Sequence, residues 1–161
     1  MNLYRKVRGF TLIELLVVMS IITMLITMSA FGLRQARESA RDGQRKADLE
    51  TIRTGLAFYK ADCNEYPISA GADFKTTFGS SFVGVAADCG GSSSTYISKT
   101  PSDPVTDRNY WYNSNGLTYI ICMALESETT SDSTCAAVPT ANCGTASDGS
   151  PAVCSYSGIN P

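Results

Sequence analysis

Histidine is absent from all 161 residues. That one absence removes the commonest general base, the usual nucleophile triads and most zinc sites. No two cysteines stand at C-x-x-C spacing, so Cys63, Cys89, Cys122, Cys135, Cys143 and Cys154 do not resemble a metal cluster. An even number of widely spaced cysteines reads instead as disulfides in an oxidising compartment. Many connectivities are open to six cysteines, and pairing of sequence neighbours (Cys63–Cys89, Cys122–Cys135, Cys143–Cys154) is the simplest. Proline is missing before Pro67, so nothing in that stretch forces a helix to break. Charge is missing from Phe10 to Leu33 except for Glu14. With no nucleophile–base pairing and no cofactor motif, neither enzymatic activity nor a cofactor is expected.

What charge there is lies unevenly. Residues 1–62 hold ten basic and six acidic groups, net +4, and residues 63–161 hold three basic and nine acidic, net −6. An acidic C-terminal part disfavours direct nucleic-acid binding, which needs clustered Lys and Arg. The first nine residues, MNLYRKVRG, are basic through Arg5, Lys6 and Arg8, and the positive-inside tendency keeps that end cytoplasmic. The 24 residues Phe10–Leu33 would rise about 36 Å as a helix against a hydrocarbon core of about 30 Å. A cleaved secretory signal shares the basic start, and Thr27 with Ser29 makes a weak cut site. Its apolar centre is shorter, however, and would be spoiled by Glu14.

Beyond Leu33 the helical period continues. Leu49, Ile52, Leu56 and Tyr59 recur at steps of three and four and make one apolar stripe. Arg34/Glu38, Asp42/Lys46 and Lys46/Glu50 place opposite charges at helical spacing, as on a solvated face. Gly32, Gly43 and Gly55 each weaken a helix and allow a bend or a close approach. One helix is predicted from about residue 10 to about residue 62, ended by Glu65-Tyr66-Pro67. A Gly/Ser-rich connection follows to about Thr100, with GGSSST as an exposed loop. NYWYN and LTYIICMALE, separated by Ser114-Asn115-Gly116, predict a β-hairpin. Leu117, Tyr119, Ile121, Met123 and Leu125 then face the helix stripe. Of Tyr110, Trp111 and Tyr112, one face is expected to pack on Tyr59 or Phe58 and the other to contact a second subunit. The tail is expected to be loop with one short strand near Ala152–Tyr156. Ser127–Thr134 has the composition of an O-glycosylated stretch.

The segment GFTLIELLVV, Gly9–Val18, following a basic start inside an apolar helix, resembles the class III signal of type IV pilins and of the related type II secretion pseudopilins. The resemblance covers ten contiguous positions and the leader, and the rest of the chain follows the plan in outline. It implies an α+β pilin fold, a long N-terminal helix packed on a small antiparallel sheet with a loop-rich, disulfide-bearing C-terminal region. The domains implied are a leader (1–9), a transmembrane and assembly half-helix (10–33), an amphipathic half-helix (34–62) and an extracytoplasmic domain (63–161). It further implies that a prepilin peptidase cuts between Gly9 and Phe10 and that Phe10 becomes N-methylated. Glu14 would pair with the Phe10 amine of a neighbouring copy in a helical homopolymer, although a glutamate snorkelling to the membrane face is an alternative. The partners implied are further copies of the chain, the peptidase, the inner membrane before assembly, and an assembly platform with its motor ATPase.

The resulting expectation is a single-pass cytoplasmic membrane protein that becomes a surface pilus fibre serving adhesion, twitching motility or DNA uptake. The alternatives are a pseudopilin of a type II secretion system and a membrane-anchored binding or enzymatic domain. Where many type IV pilins have a proline past the middle of the apolar helix, Phe31 and Gly32 stand here. PSDPVTDRNYWYNSNGLTYIICMALE resembles the region near the end of type II secretion major pseudopilins and of some Gram-positive and uncultured-lineage pilins; in those pseudopilins an acidic loop nearby binds calcium. By that resemblance Asp103 and Asp107, with Asp88, offer hard oxygen ligands, although Asp-Pro and Asp-Arg-Asn are also turn formers.

Overall fold

The computed structural model describes residues 9–84, 94–128, 130–136, 142–145 and 151–160. The leader cations, Asp88, Cys89 and most of GGSSST lie outside them. The chain divides into two compact units, Met1–Arg37 and Glu38–Pro161, and helix α1 runs from Leu12 to Cys63. Within the first unit the apolar side chains from Leu12 to Met28 are exposed. An 18-residue window of α1 has mean hydropathy 2.3, long and apolar enough to cross a membrane. The hydroxyls of this stretch bond to the helix itself. Ser20 donates to the Val17 carbonyl, Thr23 to Ser20, Thr27 to Thr23 and Ser29 to Leu25.

The second unit contains the rest of α1 and all the strands. With no proline before Pro67, α1 continues until Asn64 takes a left-handed conformation (φ 61°) and its N–H caps the Lys60 carbonyl at 2.8 Å. The order is then β1 (Ser69–Asp73), α2 (Phe74–Phe78), β2 (Phe82–Val83), β3 (Thr95–Ile97), β4 (Trp111–Ser114), β5 (Tyr119–Met123), α3 (Ser133–Ala136) and β6 (Tyr156–Asn160). The main sheet has the order β1-β4-β5-β6, every pair antiparallel, and β2 pairs with β3 separately.

The period-two alternation of β4 and β5 builds a core on each face of the sheet. On one face Tyr110, Tyr112, Tyr119, Ile121, Met123 and Leu125 meet the α1 stripe Leu49, Ile52, Leu56 and Tyr59, joined by Phe74, Phe82 and Ile97. On the other, Trp111, Cys122 and Ala124 pack with Cys135, Cys143 and Cys154. Two neighbour pairings are formed as disulfides, Cys122–Cys135 and Cys143–Cys154. Cys63 is also disulfide-bonded, and its expected partner Cys89 lies outside the described residues.

The structure revises several expectations. Leu117 does not face the helix, being 76% exposed. The hairpin pairs Ser114 with Tyr119 across a four-residue turn, Asn115–Thr118. The Asn115 side-chain oxygen accepts from the Leu117 and Thr118 amides at 3.0 and 2.9 Å, and Gly116 takes φ 89°; these bonds pull Leu117 into the turn. Trp111 is buried beneath the disulfides rather than presented to a second subunit. Tyr110 and Tyr112 join the core that contains Tyr59, with the Tyr112 ring also against Phe74 and Phe78, whereas Phe58 is exposed. The connection to Thr100 contains β1, α2, β2 and β3, and the last strand begins at Tyr156.

Two predictions arise from this packing. A Cβ at Gly55 would lie 2.5 Å from Cγ1 of buried Ile97, so this glycine lets α1 approach β3. Gly55→Val is expected to lower unfolding stability by about 1–3 kcal/mol, read from the urea midpoint of the detergent-solubilised chain. The two closed loops, with separations of 13 and 11 residues, each restrict the unfolded chain by about 3 kcal/mol in the chain-entropy account. Reduction is therefore expected to release the tail from Trp111, the single tryptophan, and to red-shift its fluorescence. Emission unaltered by reductant would show that the tail holds without them.

Candidate functional site

At the start of α1, Thr11 precedes the first helical residue and Glu14 stands at the third helical position. The Glu14 Oε2 accepts the Thr11 amide at 2.8 Å and the Thr11 hydroxyl at 2.7 Å, while the Glu14 amide donates to Thr11 Oγ1 at 3.4 Å. This is a reciprocal capping box, in which Thr-x-x-Glu satisfies two of the donors a helix start leaves open. Both Thr11 donors converge on Oε2, so the other carboxylate oxygen, Oε1, makes no hydrogen bond among the described residues. The carboxylate also sits at the positive end of the helix, where negative charge is favoured. Gly9 and Phe10 precede the helix and are exposed. Nothing lies within 4 Å of where a Cβ at Gly9 would be. The chain's own packing thus places no demand for glycine there.

A second constellation lies in the Glu38–Pro161 unit. The Arg45 side chain is fully buried. Its Nε and Nη2 grip Asp103 at 2.7 and 2.9 Å, and Nη1 meets Asp42 at 2.7 Å and Glu126 at 2.8 Å. Asp42 also accepts the amides of Glu126 and Ser127, both at 2.9 Å, and the Ser127 hydroxyl at 2.7 Å. Arg41 pairs with Glu126 through its Nε and Nη2. One guanidinium therefore ties the Asp103 loop and the residues after β5 to α1.

Charge balance in the cluster is reflected in its acidities. Burial presses the Arg45 pKa down, but the hydrogen bonds it donates to Asp103, Glu126 and Asp42 outweigh it and raise it above the ordinary value. Burial pushes Asp42 up, yet the Glu126 amide, Ser127 and Arg45 hold it below the usual carboxylate range. Glu126 is lowered chiefly by its hydrogen bond with Arg41, against burial and with help from Arg45. Nearby Asp48, which accepts the Tyr110 hydroxyl at 2.8 Å, is raised by burial.

This cluster bears on two sequence readings. Asp42 is not part of a solvated ladder with Lys46, because its carboxylate turns inward to Arg45; Lys46 lies over the Tyr156 ring at 5.4 Å. Asp103, offered above as a hard ligand for calcium, has both carboxylate oxygens engaged by the fork of Arg45. Asp107 contributes its backbone carbonyl to Thr145 at 2.6 Å, and no group of three or more metal-ligating side chains occurs among the described residues. Sequence reasoning missed the cluster although the signal was present. Asp42, Arg45, Leu49, Ile52, Leu56 and Tyr59 continue one unbroken three–four spacing, which puts the two charged residues on the buried face.

Comparison with known proteins bears on the N-terminal site. Residues 4–30 match the family model described as the prokaryotic N-terminal methylation motif. The chain is 36% identical over 64 residues to the type II secretion system core protein G of Pectobacterium carotovorum subsp. carotovorum, covering 40% of each chain. It is likewise 36% identical over 62 residues to the protein of that name from Escherichia coli strain K12, covering 38% of this chain and 43% of the relative. The match thus spans less than half the length of either curated relative. No solved structure matches.

Proposed function

We propose that the chain, which matches the N-terminal methylation motif at residues 4–30 and resembles core protein G over part of its length, is a membrane-stored subunit of the pilin and pseudopilin class, cut between Gly9 and Phe10, that polymerises through the apolar part of α1. The observation that carries this is the capped Glu14. Its carboxylate is held by Thr11 through Oε2 alone, leaving Oε1 for a donor from outside. Cleavage after Gly9 removes Arg5, Lys6 and Arg8 and creates a cation at Phe10. In a water-poor bundle of such helices, the Phe10 amine of one copy then meets the Glu14 carboxylate of the next. Registers that leave either charge unpaired are penalised, so the pair selects the stagger. N-methylation of Phe10 keeps that charge. The absence of internal crowding at Gly9 fits a glycine required by a peptidase. Gly9→Val is accordingly expected to block processing, seen as identical gel mobility with and without the peptidase.

The filament is proposed to be a type IV pilus, with an assembly platform and motor ATPase extending it from the cytoplasmic membrane to the surface. Adhesion, twitching motility or DNA uptake would then belong to the fibre. The disulfide-stapled tail over Trp111 supports an exposed, long-lived subunit. A second reading, a pseudopilin of type II secretion, is favoured by the two core protein G relatives. Electron microscopy of sheared surface material, with mass spectrometry of the fibres, separates the two. Long fibres built mainly of this chain and beginning at methylated Phe10 support the pilus. A secretion defect on deletion, without fibres, supports the pseudopilin. A mature terminus elsewhere than Phe10 overturns both.

A further inference from the structure

Six arginines follow the apolar run, and four of them are engaged. Arg41 pairs with Glu126, Arg45 with Asp42, Asp103 and Glu126, and Arg53 with Glu50, while Arg108 donates to the Ala124 carbonyl. Arg34 and Arg37 differ. Both are exposed, and among the described residues neither side chain takes part in an ion pair or a hydrogen bond. Glu38 stands one turn beyond Arg34, yet no pair forms between them.

Their position suggests what they meet. They sit directly after Leu33, and on a helix two residues three apart point about 60° apart, so both guanidinium groups lie on one side. A run from Phe10 to Leu33 rises about 36 Å against a core of about 30 Å. If its start lies at the cytoplasmic face, its end brings Arg34 and Arg37 to the phosphates of the opposite leaflet. Guanidinium is a planar fork matched to phosphate oxygens, and its aliphatic stem tolerates apolar surroundings.

We propose that Arg34 and Arg37 bind the phosphate groups of anionic phospholipids on the extracytoplasmic face and so set the depth at which the unassembled subunit is stored. The proposal rests on the membrane-stored reading above. Lipid is favoured over the acidic surface of a second copy because the two arginines follow the apolar run without a gap. Leaving the membrane for a polymer would then require those lipids to be released.

The test uses the full-length chain in phosphatidylcholine nanodiscs containing about one fifth phosphatidylglycerol, with spin-labelled forms of each lipid as probes. The wild type is expected to hold phosphatidylglycerol in preference to phosphatidylcholine. Arg34→Gln/Arg37→Gln is expected to weaken that preference, by up to about fivefold for each arginine removed; high salt should weaken it in the wild type. The leader cations are the same in both chains and cancel in the comparison. An undiminished preference in the double variant overturns the proposal. So does a variant that keeps its lipid preference but loses concentration-dependent association between copies, which would assign the arginines to a second copy's acidic surface. A wild-type chain that fails to enter the discs overturns the membrane reading itself, and the proposal falls with it.

Discussion

Glu14→Gln is expected to leave the chain inserted in the membrane and cut after Gly9, while filament yield falls roughly tenfold or more. The substitution keeps length, shape and an acceptor oxygen for the Thr11 amide and hydroxyl, which Oε2 of Glu14 now serves at 2.8 and 2.7 Å. The capping box therefore survives, and the start of α1 with it. What is lost is the negative charge offered to an incoming amine. In lipid this loss is tolerable, because a neutral side chain is easier to keep there than a carboxylate. In a polymer it leaves the Phe10 amine of each neighbour without a counterion. Thr11→Ala separates the two roles from the other side, because it removes the hydroxyl that steadies the carboxylate and keeps the charge. A milder loss of yield is expected there. Measured by sheared-fibre yield, wild-type levels for Glu14→Gln would sink the pairing mechanism.

The second large effect lies at Arg45. Arg45→Met is expected to destabilise the Glu38–Pro161 unit by about 3–5 kcal/mol, measured from the urea midpoint of the solubilised chain. Methionine fills much of the space, but Asp42, Asp103 and Glu126 lose the cation on which all three converge. Arg45→Lys keeps the charge and loses the two-pronged grip on Asp103, so an intermediate loss is expected. The same cluster sets an acid limit. Asp42 and Glu126 are held below their ordinary values in the folded chain. Their stabilisation is thus fully present above the ordinary carboxylate range near pH 4 and is lost as pH falls through the lowered values. Asp48, raised by burial, works in the opposite direction and in a higher window. Its cost to the folded chain is relieved as pH falls through its raised value towards the ordinary carboxylate range. A midpoint that is flat with pH from 6 to about 3 would show that the cluster contributes little.

Where the sequence was legible, one physical rule dominated the outcome. The proline-free, periodic stretch could scarcely be anything but α1, and Leu49, Ile52, Leu56 and Tyr59 had to be covered. The alternation from Tyr119 to Leu125 likewise placed one set of side chains on the helix. Elsewhere competing rules gave the wrong answer. Ser69–Asp73 contains no β-branched or aromatic residue, yet it pairs with β4 because Gly71, at φ 99°, lets the backbone close on Trp111. Asp103 did draw attention as a ligand for a cation, but that cation is carried by the chain at Arg45. The N-terminal motif was readable through Gly9, Phe10 and Glu14, which lie within the residues that match the methylation motif. Its cap was not identified, because attention to the charge of Glu14 obscured its spacing from Thr11.

Every hydroxyl between Leu12 and Leu33 is already closed on a carbonyl of its own or the preceding turn. Ser20, Thr23, Thr27 and Ser29 consequently ask nothing of whatever surrounds them, whether acyl chains or the flanks of sister helices. Such a rod exchanges one medium for another without breaking or forming polar bonds along that length, so the exchange is steered at its two charged ends.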